Sequence, residues 1–117
     1  MNEEVNKLIV KQLKTTNIPC FFIQKPEDLK LSDYITFSYY EDEDWFSNDS
    51  NELCRYTVSL RYITSDQTNL LTSYKIIKDS FNLDNVYRFG QIGTVYDEKA
   101  KVFKLMCSFE LIMYEAE

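Results

Sequence analysis

The sequence predicts an α+β fold of two layers, in which two helices pack on one face of a mainly antiparallel sheet. Apolar residues recur with helical spacing in two segments, and several other runs alternate apolar and polar residues as half-buried strands do. The 117 residues contain no internal repeat and no linker-like stretch, and they suffice for one modest core. A single domain over 1–117 is therefore expected.

The first helix is expected at about residues 2–15, in "EEVNKLIVKQLK". One face of this segment is apolar apart from Gln12, and it consists of Val5, Leu8, Ile9 and Leu13. Acidic residues open the segment and lysines close it, which is the arrangement that the helix dipole favours. Pro19 cannot continue the helix.

Three strands are expected in the first half of the chain. "PCFFIQ" is short and bounded by prolines, which suits an edge strand. "DYITFSYY" and "LCRYTVSLRYI" alternate apolar and polar residues, so each predicts a strand with one buried face. We expect these two strands to pair through a long acidic hairpin loop at about 41–52.

The second helix is expected at about 66–81, with Leu70, Tyr74, Ile77 and Phe81 as its apolar stripe. Ser65 or Asp66 is expected to cap its start, and Asn82 to take the left-handed conformation that closes it.

A C-terminal hairpin is expected at about 86–114, around the turn "DEKA". Gly90 and Gly93, the only glycines in the sequence, predict a bulge or a close backbone approach in its first strand.

Composition excludes several function classes. The net charge of −6 argues against tight binding to a nucleic-acid duplex or an anionic membrane. Three scattered cysteines fit a reducing compartment, where they serve as small apolar side chains. The N-terminus resembles no signal peptide and no run is long enough to span a membrane, so a cytoplasmic site of folding is expected.

Catalytic and metal-binding motifs are also missing from the sequence. There is no histidine, and the two glycines cannot build a phosphate-binding loop. Asp42 and Asp44 have the spacing of a calcium loop, but Phe46 stands where the next oxygen ligand belongs. The sequence therefore predicts a non-enzymatic protein without cofactor or metal.

The acidic loop "YEDEDWFSNDSNE" combines six carboxylates with two aromatic rings. A loop that served solubility alone would not need Trp45 and Phe46, and buried aromatic anchors commonly carry binding energy. Two interpretations stay open: the rings dock into a neighbouring molecule, or the loop folds back onto its own sheet. The residues proposed to contact a partner are Glu41, Asp42, Glu43, Asp44, Trp45 and Phe46.

The sheet face away from the helices is expected to be half apolar. On the last strand it would present Val102, Met106, Ile112 and Tyr114 beside Lys104, Ser108 and Glu110. A monomer seldom leaves such a stripe in water, so we expect a partner subunit to cover part of it, with Met106, Ile112 and Tyr114 as contacts.

The order of these segments resembles the tail terminator (tail completion) proteins of long-tailed bacteriophages. The family shows a leading helix, a phrase like Pro-Tyr-Ile-Val-Tyr, an acidic loop with an aromatic residue, a Tyr-x-Val-x-Val strand, a second helix and a closing hairpin. Here "DYITFSYY", "DEDWFSNDSNE", "RYTVSLRY" and "VYDEKAKVFKLMCSFEL" stand in the corresponding places. Asp33 departs from the pattern, since the family more often has proline there.

The resemblance implies a virion protein, assembled in the host cytoplasm and placed in the tail or neck. It would form a hexameric ring that caps the tail tube, meets the head-completion or connector protein, and lets DNA pass without specific binding. A neighbouring head–tail joining protein would share these features.

A different class also fits the sequence: an acidic binding module, such as an immunity or inhibitor protein that masks a basic partner.

Overall fold

The computed structural model describes residues 3–42 and 53–114. Within these ranges the chain forms two helices and a five-stranded sheet, so the predicted α+β class with a mainly antiparallel sheet is confirmed. In chain order the elements are α1 (Glu3–Lys14), β1 (Cys20–Phe22), β2 (Asp33–Glu41), β3 (Leu53–Thr64), α2 (Asn69–Ser80), β4 (Val86–Asp97) and β5 (Val102–Tyr114).

The strands are arranged in the order β1-β2-β3-β5-β4. β1 is a three-residue edge strand and runs parallel to β2, whereas the other neighbours are antiparallel. β2 pairs with β3 from Asp33 opposite Thr64 to Glu41 opposite Tyr56, as the predicted hairpin requires. Most of the connecting loop, residues 43–52, lies outside the described residues.

The core lies where one face of the sheet meets the two helices. α1 buries Val5, Ile9 and Leu13 completely, and α2 buries Ile77. They share one cluster with alternate residues of the three central strands, which include Ile35, Phe37, Tyr56, Val58, Leu60, Tyr62, Leu105, Cys107, Phe109 and Leu111. Each large apolar side chain buried here contributes about 1.5–3 kcal/mol.

Polar side chains on the apolar faces have specific partners. Gln12 interrupts the apolar face of α1, and its Nε2 donates to the carbonyl oxygen of Ser80 at 2.6 Å. That carbonyl lies at the C-terminal end of α2, where helix carbonyls lack partners within the helix. Gln12 therefore ties the two helices together.

Asp33 organises the junction between the sheet and α2. Its Oδ2 accepts hydrogen bonds from the hydroxyl of Tyr62 at 2.8 Å and from Nδ2 of Asn69 at 3.2 Å. Its Oδ1 accepts from Oγ1 of Thr64 at 2.8 Å, and Ser73 Oγ donates to the Tyr62 hydroxyl at 3.1 Å. The carboxylate thus links the start of β2 with the end of β3 and the first turns of α2.

The ends of α2 differ from the prediction. The helix begins at Asn69, because Oδ1 of Asp66 accepts from both the amide and the hydroxyl of Thr68 and holds the preceding residues in a turn. Asn82 does not take the left-handed conformation, and Asn17 after α1 does, with φ 62°. The residue that caps the end of α2 is instead buried Phe81, whose amide donates to the Lys78 carbonyl.

The predicted irregularity at the two glycines is confirmed. The register between β4 and β5 shifts between Tyr87 and Gly90, and again between Gln91 and Gly93. Arg88 has a φ of 57° at the first shift. These bulges break the inward–outward alternation of β4, so the direction of its side chains cannot be counted from sequence position alone.

Candidate assembly surface

The sheet face away from the core carries the candidate site, which we call the outward face. Its side chains lie in rows across the strands: Thr36 of β2 is opposite Arg61 of β3, which is opposite Met106 of β5. In the next row Ser38 is opposite Ser59. Short hydroxyl side chains in the middle of the face leave room between the longer residues at its sides.

An apolar depression of about 250 Å³ occupies this space. Ile23, which follows β1, lines it on one side, and Ile92 of β4 lines it on the other. Met106 lies between them. Ile23 and Ile92 are 62% and 66% exposed, although isoleucine is among the residue types most often buried. The chain therefore presents apolar side chains to solvent around a concave surface.

A second, more polar depression of about 260 Å³ adjoins the first. It shares Ile23, Thr36 and Arg61 with the apolar one, and its further lining residues include Lys25, Lys104, Tyr34, Ile63 and the acidic Glu27. We call the two depressions together the groove. Its apolar part and its basic part meet at Arg61.

The three cations in the groove are held differently. Lys25 Nζ donates to the carbonyls of Pro26 and Leu29 and lies 5.5 Å from the centre of the Tyr34 ring. Lys104 Nζ lies 3.4 Å from Oδ2 of Asp97. Arg61 is exposed, and its side chain makes no hydrogen bond or ion pair with residues 3–42 or 53–114. Arg61 is thus available to a ligand carboxylate.

Ile23 has a backbone conformation that β-branched residues rarely adopt, with φ 70°. This left-handed conformation costs an L-residue about 1–2 kcal/mol. Its amide nevertheless donates to the Phe37 carbonyl at 2.8 Å, which continues the pairing of β1 with β2. The chain therefore holds an exposed isoleucine beside the groove at a cost to its own stability.

Charged residues occupy the other end of the outward face. Arg55 pairs with the carboxylate of Asp42, and its Nη1 lies 3.7 Å from Glu110 Oε1. The second oxygen of Glu110 lies 3.8 Å from Arg88 Nε. The side chains of Arg55, Asp42 and Glu110 are about three-quarters buried, so this cluster joins β2, β3, β5 and β4 within one chain.

Of the contact residues predicted at the acidic loop, the structure describes only the first two. Glu41 is exposed at the end of β2, whereas the carboxylate of Asp42 already pairs within the chain. Glu43, Asp44, Trp45 and Phe46 lie outside the described residues.

The three contacts predicted on β5 are spread along that strand. Met106 lines the groove, while Ile112 is half-buried and lies opposite Arg55, on the far side of Ser108 and Glu110. Tyr114 ends the strand opposite Leu53. Met106 therefore joins the groove, whereas Ile112 lies outside its lining.

Sequence reasoning missed most of the groove. Ile23 follows a three-residue strand, and nothing in "CFFIQK" signals its left-handed backbone. Ile92 stands between the two glycines in "GQIG", and the bulge that they predicted explains its position outside the alternation. The alternation of "LCRYTVSLRYI" places Arg61 on the polar side of β3, but its neighbours follow only from the strand register.

No group of metal-ligating side chains occurs in the described part of the chain. Nor does either described helix have the length and apolar character needed to cross a membrane. In comparisons with known proteins, no family model matches the chain and no curated protein matches its sequence.

Proposed function

We propose that this chain is a non-enzymatic assembly protein that forms a ring and joins parts of a phage particle. The observation that carries the assembly role is the outward face, where exposed Ile23 and Ile92 flank a concave surface. Exposed apolar side chains around a depression are typical of protein interaction sites.

The phage assignment is supported by the resemblance of the sequence to tail terminator proteins. In that role a ring of six copies caps the tail tube and meets the head-completion or connector protein, while DNA passes through the opening. The net charge of −6 suits a passage that phosphates must cross without sticking.

Solution mass tests the assembly role. Light scattering on a sizing column, at low and high salt and over a range of concentrations, should give a mass near six subunits. Purified tail tube protein provides the second test, because a terminator should stop tube growth and bind at tube ends in electron micrographs. A chain that stays monomeric alone and does not bind tubes would contradict the proposal.

The same experiments address the acidic binding module. Such a protein should remain a monomer at every concentration. It should also bind a basic partner in a complex that high salt dissociates, because exposed charge pairs are screened by salt.

A further inference from the structure

We infer that the groove binds the acidic aromatic loop of a second copy of this chain, so that copies assemble head to tail. This inference rests on the proposed self-association and names its two surfaces. The groove consists entirely of described residues. For the loop, the inference uses its sequence, "YEDEDWFSNDSNE", and the positions of the residues that flank it, Asp42 and Leu53.

The two surfaces match in chemical character and in order. In the loop, acidic residues 41–44 directly precede Trp45 and Phe46. In the groove, the basic part directly adjoins the apolar part, and Arg61 lies where they meet. A ligand with adjacent carboxylates and rings can therefore place its rings between Ile23 and Ile92 while its carboxylates face the cations.

Charge makes this pairing selective. The chain as a whole carries −6, so two copies repel each other at most orientations. The groove differs locally from this negative average, because its lining has three cations and one acidic residue, Glu27. A second acidic residue, Asp97, lies beside Lys104. Of the three groove cations, Arg61 is the one whose side chain has no hydrogen-bond or ion-pair partner among the described residues, and a planar guanidinium suits a carboxylate. The acidic loop of another copy supplies that carboxylate.

The length of the chain disfavours docking into the same molecule. Thr36, opposite Arg61, precedes Asp42 by six residues of extended strand, a distance of about 20 Å. Trp45 follows Asp42 by three residues and covers at most about 10 Å. Even fully stretched back along the sheet, the chain would leave Trp45 about 10 Å short of the backbone of its own Arg61, whereas the loop of a neighbour has no such limit.

A labelled peptide provides the direct test. The probe is a fluorescent peptide with the sequence of residues 40–52, and the receptor is the full chain with Trp45→Ala and Phe46→Ala, whose own loop cannot compete through its rings. We expect saturable binding by anisotropy with a Kd below about 1 mM, weakened at least severalfold when NaCl rises from 50 to 500 mM. No saturation up to that concentration would overturn the inference.

Matched substitutions locate the binding site. In the receptor, Arg61→Glu should weaken peptide binding at least about tenfold, because it replaces the cation with a like charge. Lys99→Glu makes the same change in net charge at the exposed turn after β4, and it should alter the Kd less than about twofold. Circular dichroism checks that both variants fold. Equal effects of the two substitutions would place the peptide outside the groove and refute the proposal.

Mixing two defective chains tests the head-to-tail geometry. A chain with Arg61→Glu has a damaged groove and an intact loop, while the Trp45→Ala, Phe46→Ala chain has the reverse. Each alone should be a monomer, and an equimolar mixture should give a dimer of one copy each and nothing larger, because only one intact groove meets one intact loop. A mixture that stays monomeric refutes the inference.

The mass of the unaltered chain separates this inference from the proposed function. If the unaltered chain forms rings but neither peptide binding nor mixing succeeds, the ring stands and the groove is not its contact. If the peptide binds in an Arg61-dependent way while the unaltered chain forms no ring on its own or on tail tubes, the contact stands and the ring fails.

Discussion

Removing the Asp33 carboxylate should destabilise the protein by an amount that its hydrogen bonds define. In Asp33→Ala the Tyr62 hydroxyl still accepts from Ser73 but loses its acceptor, and Tyr62 is only 1% exposed. A buried donor without an acceptor costs about 1–3 kcal/mol. The loss of the Thr64 hydrogen bond should cost less, about 0.5–1.5 kcal/mol, because the Asp66 carbonyl oxygen lies 3.4 Å from Thr64 Oγ1 and offers a weak alternative acceptor.

Together these losses predict that Asp33→Ala lowers the free energy of unfolding by about 1.5–4.5 kcal/mol, a large part of the ~5–15 kcal/mol of a typical domain. Asp33→Asn keeps one acceptor oxygen, but it replaces the other oxygen with an NH2 group that faces the donors around residue 33. We therefore expect the free energy of unfolding to fall by about 1–2 kcal/mol. Urea unfolding followed by circular dichroism measures both values. Asp28→Ala, at an exposed turn, is the control and should stay within about 0.5 kcal/mol of the unaltered protein.

Tyr62→Phe completes the test, because it removes the donor that Asp33 satisfies. If the hydroxyl causes the loss, the double variant should be more stable than the sum of the single effects predicts, by about 0.5–3 kcal/mol. Additive effects, or an Asp33→Ala loss below about 0.5 kcal/mol, would refute the assignment of Asp33 as the link between the sheet and α2.

Three further predictions concern the core, the thiols and the β4–β5 turn. The ring centres of Phe109 and Phe81 lie 4.7 Å apart in the core. Phe109→Ala should therefore lower the free energy of unfolding in urea by about 3–5 kcal/mol, and Phe109→Leu should lower it clearly less. Burial raises the pKa of Cys107 to about 12, so at pH 8 only about one molecule in ten thousand carries the thiolate. Maleimide should therefore label Cys107 in urea but not in the native state, and mass spectrometry measures this difference. The backbone amide of Ala100, aided by other bonds to the carboxylate, lowers the pKa of Asp97 below its ordinary 3.8, so its contribution to stability should be present above pH 3.8 and lost as the pH falls below that value. The NMR shift of the Ala100 amide should follow this titration, and a midpoint at or above 3.8 would contradict it.

Periodicity predicted the fold because it reports which side of an element is buried. The inward residues of β3 and the stripe of α2 therefore followed from spacing alone. Helix ends depend on local competition between hydrogen bonds, and Asp66 satisfied the Thr68 amide in a turn instead of starting the helix. Spacing could not predict this outcome, since the same residue suits both roles.

The groove was harder to predict because it depends on neighbours from distant parts of the chain. Met106 was identified from the alternation of β5, but it contributes to a groove only beside Ile23 and Ile92. Those neighbours are fixed by the strand order, by the left-handed backbone at Ile23 and by the bulge near Ile92. No single stretch of sequence contains this information.

The charge distribution also bears on the symmetry of assembly. In an isologous contact through the groove, Arg61 would face the same cationic region of its partner, and like charges would be brought together. A head-to-tail contact instead places the acids of one copy on the cations of the next, and it leaves an open groove and an open loop at the two ends. Such a contact must grow until it closes on itself or forms a filament. Closure at six copies requires each contact to rotate the next copy by about 60°, so electron micrographs of the unaltered chain at high concentration should show rings of one size. Open filaments would support the contact but refute the hexamer.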